Sequence, residues 1–333
     1  MKKVTMKIAL VALTALTVSS CQKNVEKPVR ASTSASMQFE HCSGSATAAS
    51  GTLQHKTTAG GNFVAIGPNP GTGTPYFHGV SGGGFPLTPT PSLGGDNIIR
   101  NGATRRPLNN VTGIATDMSA STCFVLNESA SSPGTWEVWK FAVGDPNNAN
   151  MVFTISGGGT SLSDLEFDFN YSAVPGGTRF LALDRTNDAL IEIDWSGTVV
   201  MSTGYYTSSF PLPTSEVVTG LAWFNCGPTG PWAHSHPFLL SHDASGTGHI
   251  WKCTDNTLEN GWSTSGAEYT FGNNPSSPGA EFGMYFDHTA TLRFVLANDA
   301  LENTEAIPAT GPGAAYSAPY AGSTDPIIDM AQL

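Results

Sequence analysis

The chain has 333 residues, of which 39% are hydrophobic and only 12% charged, with 37 Gly and 22 Pro. This excludes a coiled coil or long-helix protein, and 10% aromatics exclude wholesale disorder. The formal net charge is −11; without the first 20 residues, which hold three lysines and no acid, 12 basic against 26 acidic side chains give −14. That balance argues against nucleic acid and anionic membrane surfaces as partners and leaves a loop-rich, mostly β body.

Lys2, Lys3 and Lys7 precede an apolar stretch from Ile8 to Val18, and Val18-Ser19-Ser20-Cys21 follows. This reads as a secretory signal over 1–20 ending at a cysteine. The last four residues resemble the bacterial lipobox, a branched residue and two small ones before the cysteine. The resemblance implies a lipoprotein of the bacterial cell envelope, with a diacylglycerol on the Cys21 sulfur, cleavage before Cys21 and acylation of the new amine. Several chains at ~0.8 kcal/mol per buried CH₂ would make the membrane anchor effectively permanent. Gln22 in place of Asp after the cysteine points, by the same resemblance, to the outer membrane. The alternative is an ordinary signal with Cys21 incidental. Residues 22–36 offer almost nothing to bury and read as a tether, so 21–50 is taken as tether and N-terminal segment ahead of a body over 51–333. Cys42, Cys123, Cys226 and Cys253 lie in a compartment that permits disulfides, with three pairings possible and no CxxC spacing among them.

A short strand then recurs: Asn62-Phe63-Val64-Ala65-Ile66, Cys123-Phe124-Val125-Leu126, Arg179-Phe180-Leu181-Ala182-Leu183, Pro237-Phe238-Leu239-Leu240 and Arg293-Phe294-Val295-Leu296. Its phenylalanines are 61, 56, 58 and 56 residues apart. A period of 50 to 60 with several short strands per unit predicts a β-propeller. Innermost strands are expected at Gly51-Thr52-Leu53, Gly113-Ile114, Asp164-Leu165, Gly220-Leu221 and Gly283-Met284. Third strands are expected near Tyr76, Trp139, Ile191, Trp251 and Ala306, and fourth strands at Asn97–Ile99, Met151–Phe153, Thr198–Met201, Glu268–Thr270 and Asp325–Ile328. The fold class is therefore all-β, a propeller of five four-stranded blades; a two-layer sandwich is the competing architecture. If this frame holds, Cys226 and Cys253 approach the same end of the fourth unit, and a disulfide between them is favoured. An intervening strand sets the axes ~10 Å apart, so a loop must close the gap to ~5.5 Å. The middle units, Asp164-Leu165-Glu166-Phe167-Asp168 through Leu181-Ala182-Leu183-Asp184-Arg185 to Leu190-Ile191-Glu192-Ile193-Asp194, resemble blades of bacterial NHL-type and SdiA-regulated propellers. Those families include six-bladed members, and the resemblance implies fold far more than activity.

Acids collect at one end of the units. Glu128, Asp184, His242 and Asn298 stand four residues after the repeat phenylalanine, with Asp243 and Asp299 one step further. They read either as turn caps or as an acidic rim for Ca²⁺ or a cationic ligand. Asp164 replaces the glycine of Gly113, Gly220 and Gly283, and Glu166 also departs from the repeat. A carboxylate near the channel needs a cation, an arginine or water, which makes Asp164 and Glu166 candidate metal ligands and Arg179 or Arg185 candidate partners. His234 and His236 precede a strand whose far end His242 and His249 flank, ~20 Å away, so they do not form one four-ligand site. No GxSxG, HExxH or P-loop is present. Residues 186–333 carry 2 basic and 15 acidic side chains against 10 and 11 in 21–185, so one side of the ring should be negative. The leading expectation is a non-catalytic binding or scaffold propeller for a glycan, peptide or protein. Its site would hold Asp164, Glu166, Asp184, Asp243 and Asp299, and the possible cofactor is Ca²⁺. The alternative is a hydrolase of glycosidase or metal-dependent lactonase type with carboxylates near the channel.

Overall fold

A computed structural model describes residues 63–68, 74–81, 88–89, 97–117, 121–168, 179–208, 210–224, 236–255, 262–264, 267–271, 281–287, 293–298, 303–308, 316–319 and 328–332. All belong to the unit Ser36–Leu333. The expectations for the signal, Cys21, the tether, Gly51–Leu53, Cys42, Cys226, His234 and Asp299 fall outside the described residues.

The described strands form five four-stranded antiparallel sheets, each running outward from an inner strand. Sheet two is Asn110–Thr116, Thr122–Glu128, Trp136–Ala142 and Asn150–Thr154. Sheet three is Leu162–Asp168, Arg179–Asp184, Ala189–Asp194 and Val199–Gly204. Sheet four is Val217–Phe224, His236–His242, Gly248–Lys252 and Ala267–Phe271, and a two-stranded hairpin, Thr254–Asp255 with Trp262–Ser263, interrupts it. Sheet five is Glu281–Asp287, Arg293–Asn298, Asn303–Pro308 and Tyr316–Pro319. Sheet one is composite: its inner strand is Asp329–Gln332, followed by Phe63–Pro68, Pro75–Ser81 and Thr88–Pro89. Each inner strand packs beside the next, and the inner strand of sheet five packs back on Asp329–Gln332, so the ring closes. This is the topology of a β-propeller.

One expected outer strand is thereby corrected. The outer strand of sheet five is Tyr316–Pro319, not the expected segment near Ile328; residues 325–327 lie outside the described residues, and Ile328 leads directly into Asp329–Gln332, which pairs with Phe63–Ile66 of sheet one. The described inner strand of sheet one is Asp329–Gln332. Asn97–Ile99 pairs with sheet one as an isolated bridge from Ile98 to Tyr76 and buries Ile99 in the cluster of Val64, Ile66 and Phe77, while Thr88–Pro89 is the strand that pairs with Val80 and Ser81.

Burial follows from sheets stacked face to face around an axis: both faces of a middle strand are covered, as in Ala189–Asp194, where five consecutive residues are buried. The repeat phenylalanines Phe124, Phe180 and Phe238 are all buried at the same register of their sheets. Phe180 has ring centroids of Phe124 at 5.2 Å and Phe167 at 5.1 Å, and Trp195 stacks on it at 5.7 Å. Edge-to-face and offset contacts of this kind add to area burial.

The inner strands of sheets two to five each break register at one place: Val111/Gly113, Ser163/Glu166, Val218/Gly220 and Phe282/Met284. A bulge at a fixed position turns the strand start toward the axis. In sheet three the bulge interrupts the alternation expected over Asp164–Asp168, and Asp164 adopts φ +58°.

Candidate functional site

Two inner-strand residues near the axis carry carboxyl groups: Asp164, at the bulge of sheet three, and Asp329, at the start of the inner strand of sheet one. Asp164, from sheet three, accepts the Leu221 amide of sheet four at Oδ2 (2.8 Å) and the Leu165 amide at Oδ1 (3.1 Å). Asp329, from sheet one, accepts the Ile114 amide of sheet two at Oδ2 (2.7 Å) and the Met330 amide at Oδ1 (2.8 Å). Each acid thus ties its own sheet to the next, and the two carboxyl groups are close enough to act on each other's charge. They meet across sheet two, where a Cβ on Gly113 would stand 2.6 Å from the Asp164 carbonyl carbon; only glycine leaves that approach open.

Two neighbouring buried carboxyl groups cannot both carry a charge at low cost, so one of them keeps a proton. Burial supplies the drive. Desolvation pushes Asp164 up to about 7, against the opposing pull of Asp329, the Leu221 amide and Arg185. Asp329 is pushed well above the ordinary carboxylate range by desolvation first, then by the charges of Asp164 and Glu166. Glu166, also buried, therefore faces the same axial cluster.

Directly above the pair, where the inner strands begin, lies a pocket of about 320 Å³. Its polar lining is Asn109, Asn110 and Thr112 from sheet two, Ser163 and Asp164 with Arg185 from sheet three, and Thr219 from sheet four, closed by Ile328 and Gly67 of sheet one. Four of the five sheets contribute, so the pocket is axial. Arg185 donates from Nε to Ser163 Oγ (2.7 Å) and from Nη1 to the Val218 carbonyl, bridging sheets three and four. Thr112 donates to the Leu162 carbonyl (3.0 Å), Asn110 donates to Glu128 (3.1 Å), and Thr219 Oγ1 lies 3.1 Å from His242 Nδ1.

The other expected site residues lie elsewhere in the sheets. Both oxygens of buried Asp184 are taken by its own turn and the neighbouring loop: the Thr186, Asn187 and Gly159 amides and the Asn187 side chain, at 2.8–3.0 Å. Asp243 Oδ1 accepts the Ser245 amide and hydroxyl and the Thr247 amide at 2.8, 2.6 and 3.0 Å. Asp194 does the same with Ser196 and Thr198 at 2.9, 2.6 and 2.9 Å, so Asp-x-Ser-Gly-Thr is a repeated turn. Asp164 and Glu166 approach Asp329, and of the two arginines offered as partners Arg185 is the one whose described side chain acts on Asp164. Asp329 was missed because residues 325–328 were read as an outer strand. The signal was the repeated Asp-then-apolar pair, Asp164-Leu165 and Asp329-Met330. Among the described residues no group of three or more His, Cys, Asp or Glu is placed to hold a metal ion. Cys253 is buried in the core of sheets two to four.

The described histidines of sheet four serve different neighbours. His249 Nδ1 lies 3.3 Å from buried Glu216, which also accepts the Ser241 hydroxyl; Trp251 Nε1 donates to Ser241 Oγ at 2.7 Å. A carboxylate stands between serine and imidazole, the reverse of a nucleophile–base–orienter order.

No family model matches the chain, and no curated protein does. Among solved structures, it is similar to a Bacteroides fragilis NCTC 9343 protein assigned as a 6-phosphogluconolactonase, at 12% identity over 82% of this chain and 71% of that one, TM-score 0.40. It is also similar to an engineered GH43 glycoside hydrolase with endo-xylanase and exo-arabinofuranosidase activity (10% identity, 79% and 54% of the two chains, TM-score 0.45). A third is the Dos1 propeller (9%, 74% and 55%, TM-score 0.35). The chain spans about half the length of the latter two. The propeller assignment rests on the closed ring of sheets and not on these likenesses.

Proposed function

We propose that the chain is a lipid-anchored, non-catalytic binding protein of the bacterial envelope: a five-bladed propeller, with blades like the NHL type, that takes a small polar ligand in its axial pocket. The pocket lining supports this reading. Hydroxyl, amide and guanidinium groups from four sheets converge on one void of the size that small ligands occupy. Every oxygen of Asp164 and Asp329 already accepts an amide, which leaves the channel acids few open lone pairs to turn toward a reacting group. This favours binding over hydrolysis.

The test is a calorimetric and thermal-shift screen of glycans and short peptides with wild type and Asn109→Trp, a variant that fills the pocket mouth from an exposed position. Binding that Asn109→Trp abolishes without lowering the melting temperature supports the pocket. Ligand turnover, detected as cleaved product and lost in Asp164→Asn, would replace the binding reading with the hydrolase one. The anchor rests on Val18-Ser19-Ser20-Cys21; Cys21→Ala should move the protein from the membrane to the soluble fraction, and an unacylated mature N-terminus elsewhere would refute it.

A further inference from the structure

We propose that the axial pocket selects a hydroxylated carboxylate, a sugar acid, which pairs with Arg185 only while the Asp164–Asp329 pair beneath it is fully protonated. This rests on reading the pocket as a binding site and adds the ligand's chemical class and its coupling to protons.

Arg185 is the one fixed cation in the lining. Nε and Nη1 hold it to Ser163 and Val218, and Nη2 has no partner among the described residues. A guanidinium locked by two bonds with a donor edge left over is preorganised for a carboxylate, since little side-chain entropy remains to be lost. The rest of the lining suits hydroxyls: Ser163 accepts from Arg185 and keeps its own proton to donate, and Asn110 donates to Glu128 and keeps its carbonyl oxygen. A carboxylate arriving at Arg185 must compete with Asp164, whose charge acts on the same guanidinium.

The groups facing the pair are few. Glu166 acts on Asp329 from within sheet three, and Arg185 acts on Asp164 from the end of the adjoining strand. Tyr205, with Asp184 and Cys253 around it, lies on the Arg185 side. Sheet two offers Thr112 and Asn110, the latter backed by Glu128; sheet four offers Thr219 backed by His242; and sheet five offers Gly283, whose absent side chain would meet Asp329. When Asp164 takes its proton, the nearest counter-charge to Arg185 disappears and the ligand's carboxylate can replace it. With Asp164 titrating at about 7, its protonated fraction drops about tenfold between pH 5.5 and 8.0, and affinity should fall by the same factor.

The experiment is titration calorimetry with sodium glucuronate and with glucose as the neutral control. It is run at pH 5.5 and 8.0, in two buffers of different ionisation enthalpy at each pH. Glucuronate should bind at pH 5.5, bind about tenfold more weakly at pH 8.0 with proton uptake, and outcompete glucose at the lower pH. Asp164→Asn, which keeps an oxygen for the Leu221 amide, should remove the pH dependence and keep binding at pH 8.0; Arg185→Gln should lose glucuronate at both. Because Arg185→Gln also cuts a link between sheets, Asn109→Trp serves as the folded control and should lose glucuronate too. Equal affinity at both pH values, glucose binding as tightly as glucuronate, or no glucuronate binding overturns the proposal. A glucose or peptide ligand displaced by Asn109→Trp would leave the binding function standing, whereas binding indifferent to Asn109→Trp would overturn both.

Discussion

Raising the pH from about 4 to 7 should destabilise this protein, and Asp164→Asn should remove the part of that loss that Asp164 carries. In the folded state Asp164 holds its proton to about pH 7, against an ordinary value of 3.8. Between those values the native chain binds more protons than the unfolded one, so unfolding free energy falls as pH rises. A shift of about three units at ~1.4 kcal/mol each gives a loss on the order of 4 kcal/mol, complete near pH 7. Asp329, raised as well, adds its own decline from its ordinary 3.8 upward, through this window and above it. Glu128 and Asp243, both held low by hydrogen bonds, work the other way, but only below their ordinary values of 4.5 and 3.8. The measurement is the denaturant midpoint at pH 4.5, 6, 7 and 8, read where the slope is constant. Asparagine cannot ionise, so the variant should lose the Asp164 share of the decline, keep the part that buried Asp329 contributes, and cross above wild type at high pH. A wild-type curve that rises toward neutrality, or a variant that keeps the wild-type slope, would refute the shared proton.

Phe180→Ala and Phe238→Ala should each cost about 3–5 kcal/mol in denaturant unfolding, because both side chains are fully enclosed between sheets; a cost under about 1 kcal/mol would contradict their packing. Glu216 raises the His249 imidazole above its ordinary 6.5, so this pair contributes stability below pH 6.5 that disappears as pH climbs through the folded value. Glu216→Gln should lower the His249 titration midpoint seen by NMR. Adding Ca²⁺ or EDTA should leave the melting temperature in place, since an ion at Asp164 would have to take oxygens from the Leu221 and Leu165 amides; a rise of several degrees with Ca²⁺ would show that those bonds yield.

The repeat was legible because one residue type recurs where the physics recurs. Phe124, Phe180 and Phe238 fill the same inter-sheet space, so their spacing carries the architecture directly. Spacing gives period but not phase. In a ring, the first sheet can take its inner strand from either direction along the chain, and Asp329–Gln332 has no phenylalanine to mark it. The recurring acids proved ambiguous for a related reason: Asp184 and Asp243 recur because turns recur, and their oxygens are consumed locally. Asp164 stood out as a departure from the repeat, and Arg185 as its neighbour. What made them a pair with Asp329 is a through-space meeting of residues 165 positions apart (329 − 164), which no local pattern encodes.

The composite first sheet sets an order of events. Phe63 pairs with Gln332, 269 residues later (332 − 63), so that sheet has an unfilled inner edge until residue 332 has been synthesised. At about 5–20 residues per second that interval is tens of seconds, during which Val64 and Ile66, fully enclosed in the finished ring, lie beside unpaired backbone. The same holds after maturation. A single proteolytic nick between Pro319 and Ile328 would let a four-residue strand depart and reopen the ring at one seam, leaving sheets two to five with their own strands complete. Ring integrity is thus a property that one short segment can report or revoke.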